Sequence, residues 1–226
     1  DISEKVIWYT VFAVAPDFTA SVIDYGAYPD QKRRYFNLKT AQVRMEDVHP
    51  QGQWEAALMA SLNQLGTEQL DCDWKTSGGT THRVTCGLID CRYHESTDIV
   101  YDFCSTSKWA NILYPAEGAS LGRRRLTLWA DGSKAKPQER RGTHWRIIPG
   151  RNGVLKVEVN TNYWKSFLFK RWAAPRGDRG AALVYGPEGT RLNFHRMFSE
   201  QVTAETCTRH TIDNTTIDEW ELPSNK

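Results

Sequence analysis

Several motifs that would assign a function at once are missing from this chain. Its 226 residues contain no G-x-x-x-x-G-K-[ST] segment, no G-x-G-x-x-G and no H-E-x-x-H. The chain therefore lacks the P-loop that cradles nucleotide phosphates, and we do not expect it to hydrolyse ATP. The dinucleotide fingerprint of a Rossmann fold and the zinc-binding helix of a metalloprotease are missing in the same way.

Cysteine is scarce, and its number is odd. The five cysteines match no disulfide framework, so the sequence predicts buried thiols in a protein of a reducing compartment. A zinc site is the alternative, although the paired C-x2-C spacing that makes such an assignment strong is missing. The residues of that alternative site are Cys72, His82, Cys86, Cys91 and His94.

Long apolar runs are also missing. No stretch approaches the roughly 20 apolar residues that a membrane-spanning helix needs. Residues 1–5 carry the wrong charge for a signal peptide, and no initiator methionine precedes them. We therefore expect no membrane span, and we expect an excised fragment or a processed product.

The residues that are present have the composition of a folded protein, with 40% hydrophobic and 25% charged side chains. Apolar and β-branched runs predict strands at 6–14, 18–25, 84–91, 110–114 and 155–159, and a weaker strand at 212–221. Helical spacing predicts helices at 54–65, ending at Gly66, and at 99–104, 162–172 and 193–203. This order predicts one α/β domain over residues 1–226, with a mixed sheet.

Basic residues concentrate in one stretch, for which we expect loops and short strands in an insertion of about residues 119–153. Glycines and prolines interrupt it, which argues against a long helix. A surplus of positive charge suits the phosphates of a nucleic acid, and a solvated loop is the alternative. Only Asp131 and Glu139 oppose nine cations, namely Arg123, Arg124, Arg125, Lys134, Lys136, Arg140, Arg141, Arg146 and Arg151.

An acidic residue stands where one apolar run ends, in Gly87-Leu88-Ile89-Asp90. Asp1 stands just ahead of the first predicted strand in the same way. Two carboxylates that neighbouring strands bring together repel each other, and Mg²⁺ or Mn²⁺ relieves that repulsion. Two such ions, roughly 3.5–4 Å apart, can activate a water and stabilise the leaving oxygen of a phosphodiester. The alternative is that Asp90 caps a turn and Asp1 is a frayed terminus.

Four groups of residues follow one another along nearly the whole chain in an order that is itself informative. They are Val22-Ile23-Asp24-Tyr25-Gly26 with Pro29-Asp30-Gln31, then Leu88-Ile89-Asp90 with the segment from Glu95 to Cys104, then Asn162-x-Trp164-Lys165-Ser166, and finally Asp218-Glu219-Trp220 with Pro223. Together they resemble the nuclease region of the large subunit of lambda-type phage terminases.

This resemblance implies a ribonuclease H-like fold, a mixed β-sheet flanked by helices, and two-metal cleavage of duplex DNA. Asp1-Ile2 matches the family's first acidic segment, with Ser3 where glutamine is usual, and Asp90 matches the second acid. The family's third acid lies in a helix after the Asp-Glu-Trp-x-x-Pro segment, so we expect it beyond Lys226. The ATPase motor of the family is missing as well, which is why we expect an excised nuclease domain.

Two further residues are weaker candidates. Asp98 is a possible metal ligand in the family's pattern, although we favour a helix-capping acid, because negative charge suits a helix N-terminus. Lys165 is a possible phosphate contact, and an exposed helical face is the alternative.

The sequence thus predicts a metal-dependent endonuclease domain that cuts concatemeric double-stranded viral DNA during packaging. Mg²⁺ or Mn²⁺ on Asp1 and Asp90 would serve catalysis, and Arg123, Arg124, Arg125, Arg140 and Arg141 would contact the DNA backbone. The resemblance implies a small terminase subunit and a portal as partners of the full-length protein in the host cytoplasm. One alternative is a catalytically silent nucleic-acid-binding or assembly module of the same fold. Another is a cytosolic protein unrelated to viruses whose nine tryptophans form a protein- or glycan-binding surface.

Overall fold

The described part of the chain forms two compact units. The computed structural model describes residues 1–50, 52–121, 128–129, 133–186, 193–212 and 215–223, without the side chains of His94, Ile212 and Thr215. Unit 1 consists of Asp1–Tyr9, Gly26–Glu117 and Ile147–Val157. Unit 2 consists of Thr10–Tyr25, Gly118–Arg146 and Glu158–Lys226. The single domain expected over residues 1–226 stays a prediction.

Strands and helices alternate along much of the chain. The described strands are β1 (Ile7–Val14), β2 (Ala20–Tyr28), β3 (Trp74–Lys75), β4 (Thr81–His82), β5 (Gly87–Asp90), β6 (Leu113–Ala119), β7 (Arg140–Arg141), β8 (Trp145–Pro149), β9 (Leu155–Asn160), β10 (Ala182–Val184), β11 (Thr206–Ile212) and β12 (Thr215–Glu221). The described α-helices are α1 (Met45–Val48), α2 (Trp54–Gln69), α3 (Thr97–Thr106), α4 (Thr161–Trp172) and α5 (Arg196–Val202). None of these helices is both long and apolar enough to cross a membrane.

The strands form parallel and antiparallel pairs. One sheet has the order β1-β2-β10 and another the order β5-β6-β9-β8-β7, while β3-β4 and β11-β12 are two-stranded. β10 runs parallel to β2 and β5 runs parallel to β6, whereas β11 and β12 are antiparallel. The α/β class with flanking helices is therefore confirmed, and the ribonuclease H-like arrangement stays a prediction.

Helix α2 continues past the glycine at which we expected it to end. Gly66 lies inside the helix, and a Cβ added there would come within 2.6 Å of the Trp109 ring. The glycine therefore lets a buried tryptophan pack against the helix backbone, and this contact outweighs the low helix propensity of glycine.

Two strands also differ from the expectation. The strand that we expected to close at Pro115 runs through it to Ala119, with Pro115 buried opposite Ile89 of β5. The weak strand expected at 212–221 is one half of a hairpin, because β11 pairs with it over seven positions. Neither pairing partner is visible in the local pattern.

The core of unit 1 is apolar and lies between α2, α3 and the strands β1, β5 and β6. Leu58 and Leu62 of α2 and Val100 and Phe103 of α3 are almost completely buried in it. The i, i+4 and i, i+3 spacing of these residues places each pair on one helix face, as the sequence pattern predicts.

Unit 2 is organised around the buried side chain of Asn162 in α4. Its Nδ2 donates to the Leu121 carbonyl at 2.7 Å, and its Oδ1 accepts from the Trp220 backbone N–H at 3.1 Å. The Trp220 indole N–H donates to Ser166 Oγ at 2.8 Å, and its ring stacks on Phe169 with centroids 4.5 Å apart. One amide thus joins α4, β12 and Leu121, which lies two residues after the end of β6.

A cluster of ion pairs joins the start of β7 to β8 and β9. Glu139 is only 2% exposed, and Arg141 donates to both of its carboxylate oxygens, at 2.8 and 3.1 Å. The Lys136 backbone N–H donates to Glu139 at 2.8 Å, and Arg146 pairs with Glu158 at 2.6 Å. These donors, Arg141 above all, lower the pKa of Glu139 from 4.5 to about 2.

We expect Asn162→Ala to lower the free energy of unfolding by about 2–4 kcal/mol, because it leaves a buried carbonyl and a backbone N–H without their partner. Ser166→Ala removes only the acceptor of the Trp220 indole and should cost about 1 kcal/mol. Urea unfolding followed by tryptophan fluorescence measures both. Equal losses in the two variants would contradict the central role of Asn162.

The second stability prediction concerns pH. A carboxyl group whose pKa is lowered by folding stabilises the fold above its unfolded pKa, and that stabilisation is lost as the pH falls towards the folded pKa. For Glu139 the window lies between 4.5 and about 2. The parent should therefore be more stable than Glu139→Gln above pH 5, and the difference should shrink as the pH falls through this window. A difference that stays constant down to pH 3 would contradict the ion-pair explanation.

Candidate metal and nucleic-acid site

Asp90 is the last residue of β5, as the apolar run before it predicts. β5 pairs in parallel with β6, and Asp90 lies opposite Ala116. Within the described residues β5 is an edge strand of its sheet. The end of a parallel strand is a place where a side chain can meet a ligand rather than the core.

The turn that follows Asp90 is held by several short hydrogen bonds. The Cys91 backbone N–H donates to the Ala116 carbonyl at 3.0 Å, and Thr97 Oγ1 donates to the Cys91 carbonyl at 2.9 Å. The Arg92 backbone N–H donates to Asp90 Oδ1 at 3.0 Å. Because both the strand end and the start of α3 are tied down, the Asp90 carboxylate has a fixed position.

Asp1 is held by backbone pairing with the start of β1. Its α-amino group donates to the Trp8 carbonyl at 2.9 Å, and its carbonyl accepts from the Trp8 N–H at 2.8 Å. Asp1 is exposed as a residue, but neighbouring atoms enclose its amino nitrogen. This loss of hydration lowers the pKa of the amino group, and the nearby Asp90 carboxylate partly offsets the effect.

The Asp90 carboxylate thus lies close enough to the Asp1 amino nitrogen to affect its pKa. No group of three or more His, Cys, Asp or Glu side chains that could hold a metal ion occurs among the described residues. Two carboxylates are oxygen donors of the kind that hard divalent cations prefer, but they are only part of a ligand set. The assignment of Asp1 and Asp90 as metal ligands stays a prediction.

Asp98 lies in the first turn of α3, and its side chain is 83% exposed. It forms an ion pair with Arg151, and the helix shows no side-chain cap at Ser96. Its negative charge near a helix N-terminus is favourable, as expected. The ion pair gives this carboxylate a partner other than a metal, and its role as a ligand stays a prediction.

The two described arginines among the predicted DNA contacts differ in their surroundings. Arg140 is exposed on β7. Arg141 is engaged with Glu139 and also donates to the Ser133 and Lys134 carbonyls, at 2.7 and 3.0 Å. Its guanidinium lies 5.0 Å from the centre of the Trp129 ring. The geometry therefore favours Arg140 as a phosphate contact and gives Arg141 the task of shaping the segment.

The structure gives no support for DNA binding by the four remaining residues that the sequence predicts as DNA contacts. Arg123, Arg124 and Arg125 lie outside the described residues. Lys165 of α4 forms an ion pair with Glu205, which offsets its charge. A DNA role for these four residues stays a prediction.

A second basic segment was not predicted from the sequence. Between Asp30 and Glu46 the chain contains five lysines or arginines and no acid. The signal is present in the charge pattern, but the stretch from Arg123 to Arg151 contains more cations and gives the stronger signal. All five basic side chains of this second segment are exposed.

The cysteines and tryptophans bear on the alternative interpretations. Cys91 and Cys104 are buried and Cys72 is half-buried, but Cys86 and Cys207 are exposed, so the expectation of uniformly buried thiols is wrong. All nine tryptophans lie in the described residues, and each is buried or half-buried rather than exposed. Many of them pack on other aromatic rings, as Trp8 does on Phe36 and Trp220 on Phe169. A tryptophan-rich recognition surface is therefore not supported.

Comparison with known proteins points to one family. Neither the curated proteins nor the solved structures contain a significant match to this chain. The family model described as "terminase large subunit gpA, endonuclease domain" matches residues 6–226. This match excludes a protein unrelated to viral terminases, and it spans both units and all four groups of residues that carry the resemblance. The chain belongs to the family of terminase large subunit gpA endonuclease domains.

Proposed function

We propose that this domain is a metal-dependent endonuclease that cuts concatemeric double-stranded viral DNA during genome packaging. The observation that carries the proposal is the Asp90 carboxylate at the end of β5, near the backbone nitrogen of Asp1. In the full-length protein, the proposed partners are a small terminase subunit and a portal, in the cytoplasm of the host cell. Family membership supports the endonuclease class.

The chemistry of the two carboxylates supports a hard divalent cation. Asp1 and Asp90 would hold Mg²⁺ or Mn²⁺ through their oxygens, and the Arg92 N–H donates to Asp90 Oδ1 at 3.0 Å, which favours one orientation of that carboxylate. When bound, such ions lower the pKa of a water molecule and stabilise the oxygen that leaves the phosphorus. The chain's own task would be to hold the two carboxylates near each other, and the backbone pairing of Asp1 and the bonded turn after Asp90 support this proposal.

Substrate contact is proposed for exposed cations rather than for a base-reading element. Phosphate contacts position a protein on duplex DNA without reading its sequence. Arg140 is exposed at the end of a segment that the Glu139–Arg141 pair keeps in shape. A catalytically silent DNA-binding module would share this surface, so cleavage is the property that separates the two functions.

The first functional prediction is that Asp90→Asn abolishes Mg²⁺- or Mn²⁺-dependent nicking of plasmid DNA while it leaves the thermal unfolding midpoint unchanged. The substitution removes a ligand charge but hardly changes the side-chain volume. Asp102→Asn, on the exposed face of α3, is the matched control and should cut like the parent. Asp98→Asn tests the weaker ligand candidate in the same assay. If Asp90→Asn cuts DNA at the parental rate, the Asp90 carboxylate is not a metal ligand.

The second functional prediction separates two adjacent arginines. Arg140→Ala should weaken binding about equally for unrelated duplexes and reduce the salt dependence of the affinity by roughly one unit. The stability of this variant should match that of the parent. Arg141→Ala should instead lower the unfolding midpoint, because Glu139 loses the guanidinium that neutralises it. DNA affinity is measured by titration of fluorescent duplexes at several salt concentrations, and stability is measured by thermal unfolding. If Arg140→Ala leaves the slope of log affinity against log salt concentration unchanged, Arg140 has no role in DNA binding.

A further inference from the structure

Unit 1 contains a basic loop, residues 29–44, which joins β2 to α1. Its cations are Lys32, Arg33, Arg34, Lys39 and Arg44, and all of them are exposed. Asp30 offsets the charge of Lys32, with which it pairs at 2.8 Å. The rest of the segment up to Met45 contains no acid, so the loop presents a surplus of positive charge to solvent.

A single buried amide closes this basic loop. Gln31 is 6% exposed, and its Nε2 donates to the Pro29 carbonyl at 2.9 Å and to the Val43 carbonyl at 2.7 Å. Its Oε1 accepts from the backbone N–H groups of Gln42 and Val43, at 2.8 and 3.1 Å. The two ends of the loop are therefore fixed against each other through the side chain of Gln31.

The basic loop is attached to the segment that holds Asp1. The ring of Phe36 stacks on that of Trp8 with centroids 5.1 Å apart, and Trp8 is the residue whose backbone pairs with Asp1. Lys5 Nζ donates to the Leu38 carbonyl at 3.2 Å, and the Met45 N–H donates to the Lys5 carbonyl at 3.0 Å. One short stretch of chain thus carries Asp1 at its start and the basic loop against its side.

From this arrangement we propose that the basic loop contacts the phosphate backbone of duplex DNA beside the Asp1–Asp90 site. The inference rests on the proposed function, because it assigns the substrate's backbone to a surface next to the same acids. Two carboxylates repel a polyanion, and a neighbouring group of exposed cations offsets that repulsion. Arginine also binds phosphate with a two-pronged geometry that lysine lacks. The contact is independent of base sequence.

The test compares two double variants that remove the same charge from unit 1. Arg33→Gln with Lys39→Gln removes two of the five cations of the basic loop. Lys75→Gln with Arg83→Gln removes two cations in and next to the β3–β4 hairpin as the control, and Arg83 is already paired with Asp73 at 2.7 Å. Both target exposed residues, and the unfolding midpoint of each variant is measured to show that the fold is intact. Affinity for two unrelated fluorescent duplexes is measured in chelator, so that no cleavage occurs, at several salt concentrations.

We expect the loop variant to bind both duplexes on the order of tenfold more weakly. The slope of log affinity against log salt concentration should become shallower by about two units, roughly 0.9 for each phosphate that the variant no longer neutralises. The control variant should keep the affinity and slope of the parent. An unchanged slope in the loop variant, or an equal loss in the control, would overturn the assignment of the loop. A charge-conserving double variant, Arg33→Lys with Lys39→Arg, should retain most of the DNA affinity of the parent.

The same preparations distinguish failure of this inference from failure of the proposed function. If the loop variant binds like the parent while Asp90→Asn loses cleavage, the loop has no DNA role and the endonuclease stands. If the loop variant loses binding but the parent does not cut with Mg²⁺ or Mn²⁺, the loop contact stands and the endonuclease does not. Displacement of DNA by an acidic polypeptide at equal charge concentration, but not by a second duplex, would assign the loop to a protein partner instead.

Discussion

Two backbone hydrogen bonds between Asp1 and Trp8 hold the first residues of the chain against the start of β1. A short peripheral segment stays in place when its backbone groups are paired or its side chains are buried. Here both conditions are met, because Ile2 forms an isolated bridge with Ile7 and is itself buried. The position of the Asp1 backbone, and with it the attachment of the basic loop through Trp8, depends on this short pairing.

The residues that carry the family resemblance fall into two groups, those that stabilise the fold and those that are available for chemistry. Asn162, Ser166 and Trp220 lie in two separate motifs, and the structure joins them in one hydrogen-bonded cluster that supports unit 2. Gln31, in another motif, closes the basic loop through backbone groups. Asp90 is the motif residue that has a strand end and a rigid turn to present its charge. Most polar residues of the motifs are therefore explained by the fold, and few remain for chemistry.

Local patterns predicted those elements whose stability is local. The apolar periodicity of α2, α3 and α4 and the β-branched run of β1 identify these elements well, because burial of one face follows directly from spacing. Elements that depend on a distant partner were missed or misjudged. Gly66 is helical because Trp109 packs on it, Pro115 stays in a strand because β5 pairs with it, and β11 was hidden because only β12 gives it a partner.

The candidate site also has features that the local sequence predicts and features that depend on distant partners. The strand end at Asp90 is readable from the apolar run before it, and the basic character of the stretch around Arg140 is readable from composition. The partners of individual charges are not. Glu139 forms an ion pair with Arg141 rather than with Arg140, and Glu205 forms one with Lys165. These contacts form only after the chain has folded. Charge counts therefore locate a basic surface but cannot say which of its cations are still available for phosphate.

The distribution of thiols has a practical consequence for labelling chemistry. Cys86 in unit 1 and Cys207 in unit 2 are exposed, whereas Cys91 and Cys104 are buried. Burial raises the pKa of the Cys104 thiol to about 12, so it reacts poorly as a nucleophile. Partial desolvation also raises the pKa of the two exposed thiols, so alkylation is best done in mildly alkaline buffer. Each compact unit thus provides an accessible attachment point for a maleimide dye, and replacing one cysteine at a time directs the probe to either unit.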